Sequence, residues 1–277
     1  MDLSAYRKSV DSHIPWLGLL FRRFRDVASN RRRRSTSFGF SLAGSAIMAT
    51  GQYEQDFTKA FLNELATHDS VIDIGANIGF YTCLAAVHDK RVTAVEPLGR
   101  NLDYLLANLW ANRMLGVEVY PIGLGKIHGI MPIYGFGGIA SFVKDWAQAP
   151  RSRFSIAPVN TLDAILSGRS PEERLLIKVD VEGFEADVLA GAIATLDRRP
   201  KPTWMVEIFS RYEGIPGGVN TQFCDTFDYF WRHGYKCKKV NATGEAVTEE
   251  DVKNWATSGS AELDTSNFLF FAGERTE

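Results

Sequence analysis

The chain has 277 residues, 45% hydrophobic and 23% charged, a composition that supports a full buried core and excludes a disordered or fibrous polypeptide. A net charge of −2 and a pI near 6.2 give no global reason to expect nucleic acid as a partner. Three cysteines (Cys83, Cys224, Cys237) without C-x-x-C spacing and five scattered histidines exclude a disulfide framework and a paired metal centre, and read as the reduced thiols of a cytoplasmic protein.

The charge is unevenly spread. Residues 1–34 hold nine Lys/Arg against three Asp, a net of +6, which leaves about −8 for the remainder. Within this arm residues 14–21 are apolar and aromatic, too short a run to cross a bilayer. The expectation is a short amphipathic helix with a basic end that touches an anionic membrane or a protein, against the plainer reading of a solvated surface segment.

After residue 50 strands and helices alternate. Residues 55–67 read as a helix, 71–74 as a buried strand and 80–88 as the next helix. Between strand and helix, Gly75 and Gly79 let the backbone turn and approach a ligand, and the helix start offers N–H groups to a carboxylate or phosphate. Residues 91–96 form a second strand, ending on Glu96 and Pro97. Glu96, 21 residues beyond Gly75, is placed to accept hydrogen bonds from ribose hydroxyls. The spacing is not that of a dinucleotide site. In G-x-G-x-x-G terms Gly75 is followed by Ala76, then Asn77 replaces the second glycine and Phe80 the third. Asp73 would also repel a diphosphate at this range, whereas S-adenosylmethionine brings an ammonium, a sulfonium and one carboxylate. The plain alternative is a glycine turn with no ligand.

Residues 101–112 are helical with Leu102, Leu105, Leu106 and Leu109 along one face, and 117–122 form a third strand. The stretch 123–160 is glycine-rich, with strand-like pieces at 130–134 and 155–159 and a serine, Ser141, between them. A short helix at 161–166 leads to a fourth strand, 175–180, then a helix over 185–196 and a fifth strand, 203–208. Residues 221–233 are helical, and 235–240 and 268–271 close the chain as two strands around a polar insertion, 241–266. This alternation implies a doubly wound, mainly parallel sheet with helices on both faces, and ligands in such sheets bind beyond the carboxyl ends of the strands. Asp73, Glu96, Asp180, Glu182 and Glu207 all fall at those ends.

The fourth strand, LLIKVDVEGFE, breaks the continuous apolar run expected of a central parallel strand. Lys178, Asp180 and Glu182 alternate and would share one face if the strand continued. A buried ammonium must be paired, so Lys178 and Asp180 read either as a network fixing an active-site acid or as a structural ion pair.

The segments VIDIGANIGFYT, AVEPLGRNLDYLLANLWAN, VNTLDAIL, IKVDVEGFEADVLAGA and RPKPTWMVEIF, covering residues 70 to about 240 in order, resemble the FkbM-type methyltransferases, a branch of the class I S-adenosylmethionine-dependent fold. The resemblance implies a Rossmann-like α/β sheet of seven strands with the last antiparallel, here residues 51–277, preceded by a partly helical basic extension, 1–50. It implies that Asp73, Gly75, Ala76, Asn77 and Gly79 line the methionine end of S-adenosylmethionine, that Glu96 with Pro97 holds the ribose, and that Asn101 supports the loop. Asp180 and Glu182, with Lys178, would sit where methyl donor and acceptor meet, Asp180 as general base, and Ser141 would touch cofactor or substrate. The segment IGLGKIHG departs from the pattern after strand three, leaving Gly125 and Lys126 as weak adenine contacts. The implied reaction is O-methylation of a sugar, glycan or natural-product hydroxyl, with no metal and with a homo-oligomer compatible. The competing readings are a catalytically silent binding protein on the same fold and, disfavoured by the glycine spacing, an NAD-dependent oxidoreductase.

Overall fold

The structure, a computed structural model, describes residues 32–144, 146, 154–211, 220–258 and 263–273. The apolar stretch 14–21 lies outside the described residues. The chain divides into two compact units, residues 1–53 and 54–277. In the described part of the first, β1 (Arg34–Ser35) pairs antiparallel with β2 (Ser41–Leu42), and a 3-10 turn at Met48–Thr50 ends on Gly51, whose φ of +73° is open to glycine without strain.

In the second unit helix α1 (Gln55–Leu65) leads into β3 (Ser70–Ile74), α2 (Phe80–Val87), β4 (Arg91–Val95), α3 (Gly99–Ala111) and β5 (Glu118–Tyr120). Three further strands follow: β6 (Gly123–Leu124), β7 (Gly129–Tyr134) and β8 (Phe154–Asn160). Next come α4 (Leu162–Leu166), β9 (Leu175–Val179), α5 (Glu185–Ala190), α6 (Ile193–Leu196) and β10 (Thr203–Glu207). The chain closes with α7 (Phe223–Arg232), β11 (Tyr235–Lys239), β12 (Ala246–Val247), α8 (Glu249–Ser258) and β13 (Asn267–Ala272).

The main sheet runs β12-β11-β13-β10-β9-β3-β4-β5. Strands β5, β4, β3, β9 and β10 are parallel, while β13 lies antiparallel between β10 and β11. These are the seven expected strands with the last reversed, and β12 adds a two-residue rung at the edge. The chain winds outward from β3 through β4 to β5, then returns to the other side of β3 and winds through β9 to β10. The switch point, where open α/β sheets leave a crevice, is therefore between β3 and β9.

Alternation sorts the sheet residues onto two faces. Ile72, Ile74, Ile177, Val179, Trp204 and Val206 join one core with Leu162, Val188, Leu196, Phe227 and Phe230 from the helices. On the opposite face Asp73 meets Thr82 of α2, and Tyr81 packs edge-on against Phe57 and at a tilt against Phe61, both of α1, at centroid separations of 5.1 and 5.0 Å. At the amino edge of the sheet the buried Arg169 guanidinium bridges Glu118 at 2.7 Å and Glu173 at 3.3 Å.

Two expectations change in detail. The helix read over 185–196 breaks into α5 and α6, because Asp163 of α4 accepts the Ala194 and Thr195 N–H groups at 2.9 and 2.8 Å and so caps a new start. The buried face of α3 is Asn101, Leu105, Asn108 and Leu109, whereas Leu106 is 45% exposed. Burying two asparagines is compensated by hydrogen bonds: Asn108 Nδ2 donates to the Ile78 carbonyl of the glycine loop at 2.9 Å, and Asn101 Nδ2 donates to Glu96 Oε1 at 3.3 Å. The glycine-rich stretch after β5 forms a separate small sheet, β6-β8-β7, with β7 antiparallel and β6 parallel to β8.

Candidate active site

A cleft opens at the carboxyl ends of β3, β4 and β9. Its floor is Ile74, Gly75 and Val95, and one wall is Glu96, Pro97 and Asn101. Ile122, Gly123 and Leu124 also line it, and the 3-10 turn Gly137–Ile139 lies alongside with Phe142. Asp180, Val181 and Glu182 close one end.

The loop after β3 is shaped by contact with β9. Gly75 has φ +77°, and a Cβ there would stand 1.8 Å from the Asp180 carbonyl oxygen. The glycine thus lets the ends of the two central strands touch, a different reason from the approach to a ligand suggested by spacing. Gly79, φ +88°, closes the turn against Leu105, which a Cβ would meet at 2.4 Å. Asn77 sits between them in the left-handed region at φ +50°, and its N–H donates to Glu96 Oε2 at 2.8 Å. Glu96 Oε1 accepts the Leu98 N–H at 2.8 Å and Asn101 Nδ2 at 3.3 Å. Burial pushes the Glu96 carboxyl up to about 7, against these donors, which favour its charged form. Asn101 Nδ2 also donates to the Gly137 carbonyl at 3.2 Å, so this one residue ties the acid to the overlying turn.

At the other end β9 stops at Val179, and the next residues do not continue its alternation. Lys178, 3% exposed, donates to Asp180 Oδ2 at 3.0 Å and lies 3.7 Å from Asp73 Oδ1. Burial alone would lower its pKa, but the charges of Asp180, Asp73 and Glu54 outweigh that and hold it above the ordinary value. Its ammonium also stands 5.3 Å from the ring centre of Tyr81, whose hydroxyl donates to Glu54 Oε2 at 2.7 Å. Glu182 has φ +55°, uncommon for a residue with a side chain. Ser141 Oγ donates to its carbonyl at 2.6 Å and Trp146 Nε1 to its carboxyl at 2.8 Å. Burial, then the Asp180 charge, pushes Glu182 up to about 8. Glu207, at the end of β10, shares a hydrogen bond with Asp180 and accepts Ser266 Oγ at 3.0 Å. Burial first, then Asp180, moves its carboxyl well above the usual range.

Of the residues singled out in the sequence, Gly75, Asn77, Glu96, Pro97, Asn101, Asp180 and Glu182 line the cleft. Asp73 and Lys178 are buried beneath it, Asp73 at 0% exposure with Thr82 Oγ1 donating to it at 2.5 Å. Burial raises the Asp73 carboxyl, opposed by Lys178 and Thr82. Ala76, Gly79 and Ser141 stand behind the lining, Ser141 as the brace of Glu182. Gly125 packs toward Phe184 and Val159, and Lys126 pairs with Asp187 at 3.4 Å. Glu182 does not cap the helix after Gly183, since the Gly183 N–H is taken by Glu185 Oε1 at 2.8 Å. Sequence reasoning did not find Trp146, Phe142, Glu54 or the Gly137–Gly138 turn. The glycine pair was a readable turn signal, but the other three arrive through contacts distant in the chain.

Among the described residues no cluster of His, Cys, Asp and Glu has metal-binding geometry. The cleft does fit a nucleoside. Glu96 is an acceptor-only group with spare lone pairs, and the buried Asn101 Oδ1 has no hydrogen-bond partner among the described residues. Aliphatic Ile122, Leu124 and Val95 with the Phe142 ring offer an apolar slot beside them.

The strand order, the reversed β13 and the acid closing β4 define a class I methyltransferase sheet. Within that class the chain belongs to the FkbM family: the family model described as Methyltransferase FkbM domain matches residues 73–237. The chain is 29% identical over 145 residues to hexuronic acid methyltransferase AglP of Haloferax volcanii, a match covering 50% of this chain and 56% of that one. Among solved structures it is similar to a methyltransferase FkbM from Methylobacillus flagellatus (20% identity, TM-score 0.46, 74% of this chain and 44% of that one). It is also similar to a precorrin-6y C5,15-methyltransferase from Geobacter metallireducens (12% identity, TM-score 0.41, 83% and 91%). The chain spans about half the length of the curated relative it matches.

Proposed function

We propose that the protein is an S-adenosylmethionine-dependent O-methyltransferase whose acceptor is a hydroxyl of a sugar, in a glycan or a small molecule, and that residues 54–277 carry the activity. The observation that carries this reading is one cleft with Glu96 on its wall and the Asp180–Glu182 acids at its end. Glu96 and Asn101 Oδ1 accept the ribose hydroxyls, and the Asn77 backbone, locked by Glu96, holds the loop in the shape that receives the rest of the cofactor. When bound, S-adenosylmethionine supplies an electrophilic methyl group on a sulfonium. Asp180, oriented by Lys178, accepts the proton of the acceptor hydroxyl, and Glu182 fixes the direction from which that hydroxyl approaches. Alignment and exclusion of water account for most of the acceleration, because the donor is already activated. The name of the relative from Haloferax volcanii supports a sugar as the acceptor class.

The test is calorimetric titration with S-adenosylmethionine followed by turnover assays on neutral and uronic sugars, scoring S-adenosylhomocysteine release. Wild type binds and turns over, and Glu96→Ala loses at least about tenfold in cofactor affinity, the equivalent of one to two strong hydrogen bonds to a charged acceptor. A wild-type protein that shows no binding supports instead a catalytically silent binding protein.

A further inference from the structure

Among the described residues five other than glycine have a left-handed backbone: Glu54, Asn77, Asp89, Arg113 and Glu182. Asp89 and Arg113 each stand one residue past the end cap of a helix, α2 and α3, where that conformation is common. Asn77 and Glu182 line the cleft. Glu54 falls in neither group. It precedes α1 at φ +42°, a position where residues ordinarily keep an extended backbone and turn a side-chain oxygen onto the helix N–H groups. The Glu54 carbonyl starts the helix by accepting the Thr58 N–H at 2.7 Å, but its carboxylate makes no cap bond. A costly conformation of this kind persists only where its surroundings impose it, and such residues gather at functional sites.

The carboxylate is turned to α2 instead, where the Tyr81 hydroxyl donates to Oε2 at 2.7 Å. With its one proton so committed, that hydroxyl accepts from Thr58 Oγ1 at 3.2 Å. The Tyr81 ring is packed among Phe57, Phe61 and Phe80 at centroid separations of 5.0 to 5.1 Å. Over the ring, 5.3 Å from its centre, stands the Lys178 ammonium, within reach of the attraction between a cation and a ring face. The same ammonium donates to Asp180 at 3.0 Å and lies 3.7 Å from Asp73. The contacts thus form one chain, from Glu54 to Tyr81 to Lys178 to Asp180, and Glu54 itself stands outside the cleft lining. We propose that Glu54 is a positioning residue: through the Tyr81 hydroxyl it holds the ring on which the Lys178 ammonium rests, and so sets where Asp180 meets the acceptor. This role rests on Asp180 as the base. It also accounts for the backbone of Glu54, since an ordinary cap would direct the carboxylate onto α1 and leave Tyr81 without it.

The experiment is a double-variant cycle on the full chain, with turnover scored as S-adenosylhomocysteine release on the neutral and uronic sugars and cofactor affinity read by calorimetry. Glu54→Ala is expected to lower kcat by about tenfold or more, the scale on which small misplacements of a reacting group act. Its S-adenosylmethionine affinity and sugar KM should stay within about threefold of wild type, a change under 1.4 kcal/mol. Tyr81→Phe keeps every ring contact and removes only the hydroxyl, so it should show the same loss, and the double variant should lose no more than either single one, as residues acting through one chain require. Glu54→Gln keeps an acceptor for the hydroxyl, and Asp180 and Asp73 still hold Lys178, so it should restore kcat to within about threefold of wild type. Wild-type kcat in Glu54→Ala or in Tyr81→Phe overturns the proposal, and so do losses that multiply in the double variant. A cofactor affinity that falls in step with kcat overturns it in favour of a role in shaping the glycine loop. Wild-type turnover in Asp180→Asn removes the base and the proposal with it, whereas a slow Asp180→Asn beside an unimpaired Glu54→Ala strikes the proposal and leaves that base in place.

Discussion

Glu182 and Asp180 sit two residues apart and are held by different means. Glu182 keeps a left-handed backbone, at a cost on the order of 1–3 kcal/mol, because Ser141 and Trp146 grip its carbonyl and its carboxyl. Asp180 is gripped by one ammonium that is itself buried and shared with Asp73. The first residue is placed by backbone geometry, the second by charge. Removing charge from Asp180 while keeping its shape should therefore act on chemistry more than on cofactor binding. Asp180→Asn is expected to lower turnover ~10² to 10⁴-fold, the range of a general base. Its S-adenosylmethionine affinity, read by calorimetry, should stay within about threefold of wild type, a change under 1 kcal/mol. Turnover near the wild-type value in that variant removes Asp180 from the role of base.

Among the elements, the contact between the ends of β3 and β9 decides the shape of the cleft. Gly75→Ala must relieve a Cβ 1.8 Å from a carbonyl oxygen and adopt φ +77°, and neither strand can retreat from a central sheet position. A loss of at least about 3 kcal/mol is expected from the combined clash and backbone strain, read as a lower chemical-denaturation midpoint. A variant as stable as wild type shows that the strand ends can part. The strands themselves were legible in the sequence because each is a short apolar run bounded by turn residues, and the acids at their ends were legible by position. The reason for Gly75 was not, since it depends on which strand lies beside β3. The buried Asn108 of α3 was hidden for a related reason: periodicity ranks Leu106 above it, while the glycine loop needs an amide donor. Trp146 and Glu54 had no local signal, as each reaches the acids across long stretches of chain.

At the scale of the whole molecule, the carboxyls gathered around the cleft make stability depend on pH in a defined direction. Burial is the first cause of the raised values at Glu96, Glu182 and Glu185, about 7, 8 and 7, and it also raises Glu207. In the unfolded chain these groups ionise near the ordinary glutamate value of ~4.3. Between that value and about 8, the folded protein keeps protons that the unfolded chain has released. Stability then falls as pH rises, because the slope follows the protons bound by the unfolded state minus those bound by the folded one, here negative. Their contribution is fully present below the unfolded value and lost as pH climbs through 7 to 8. Exposed Asp69, held down to about 2 by Arg174, acts in the opposite sense and only at acid pH, so it does not mask the effect. The melting temperature of the unliganded protein is expected to fall from pH 5 to pH 9. Glu182→Gln imitates the protonated acid and keeps an acceptor for Trp146 Nε1, so its melting temperature should fall less over the same range. Differential scanning calorimetry of the two proteins across that interval checks this, and a wild-type curve that is flat or rises with pH contradicts it. A wild-type fall that Glu182→Gln leaves unchanged would assign the protons to the other buried acids rather than to Glu182.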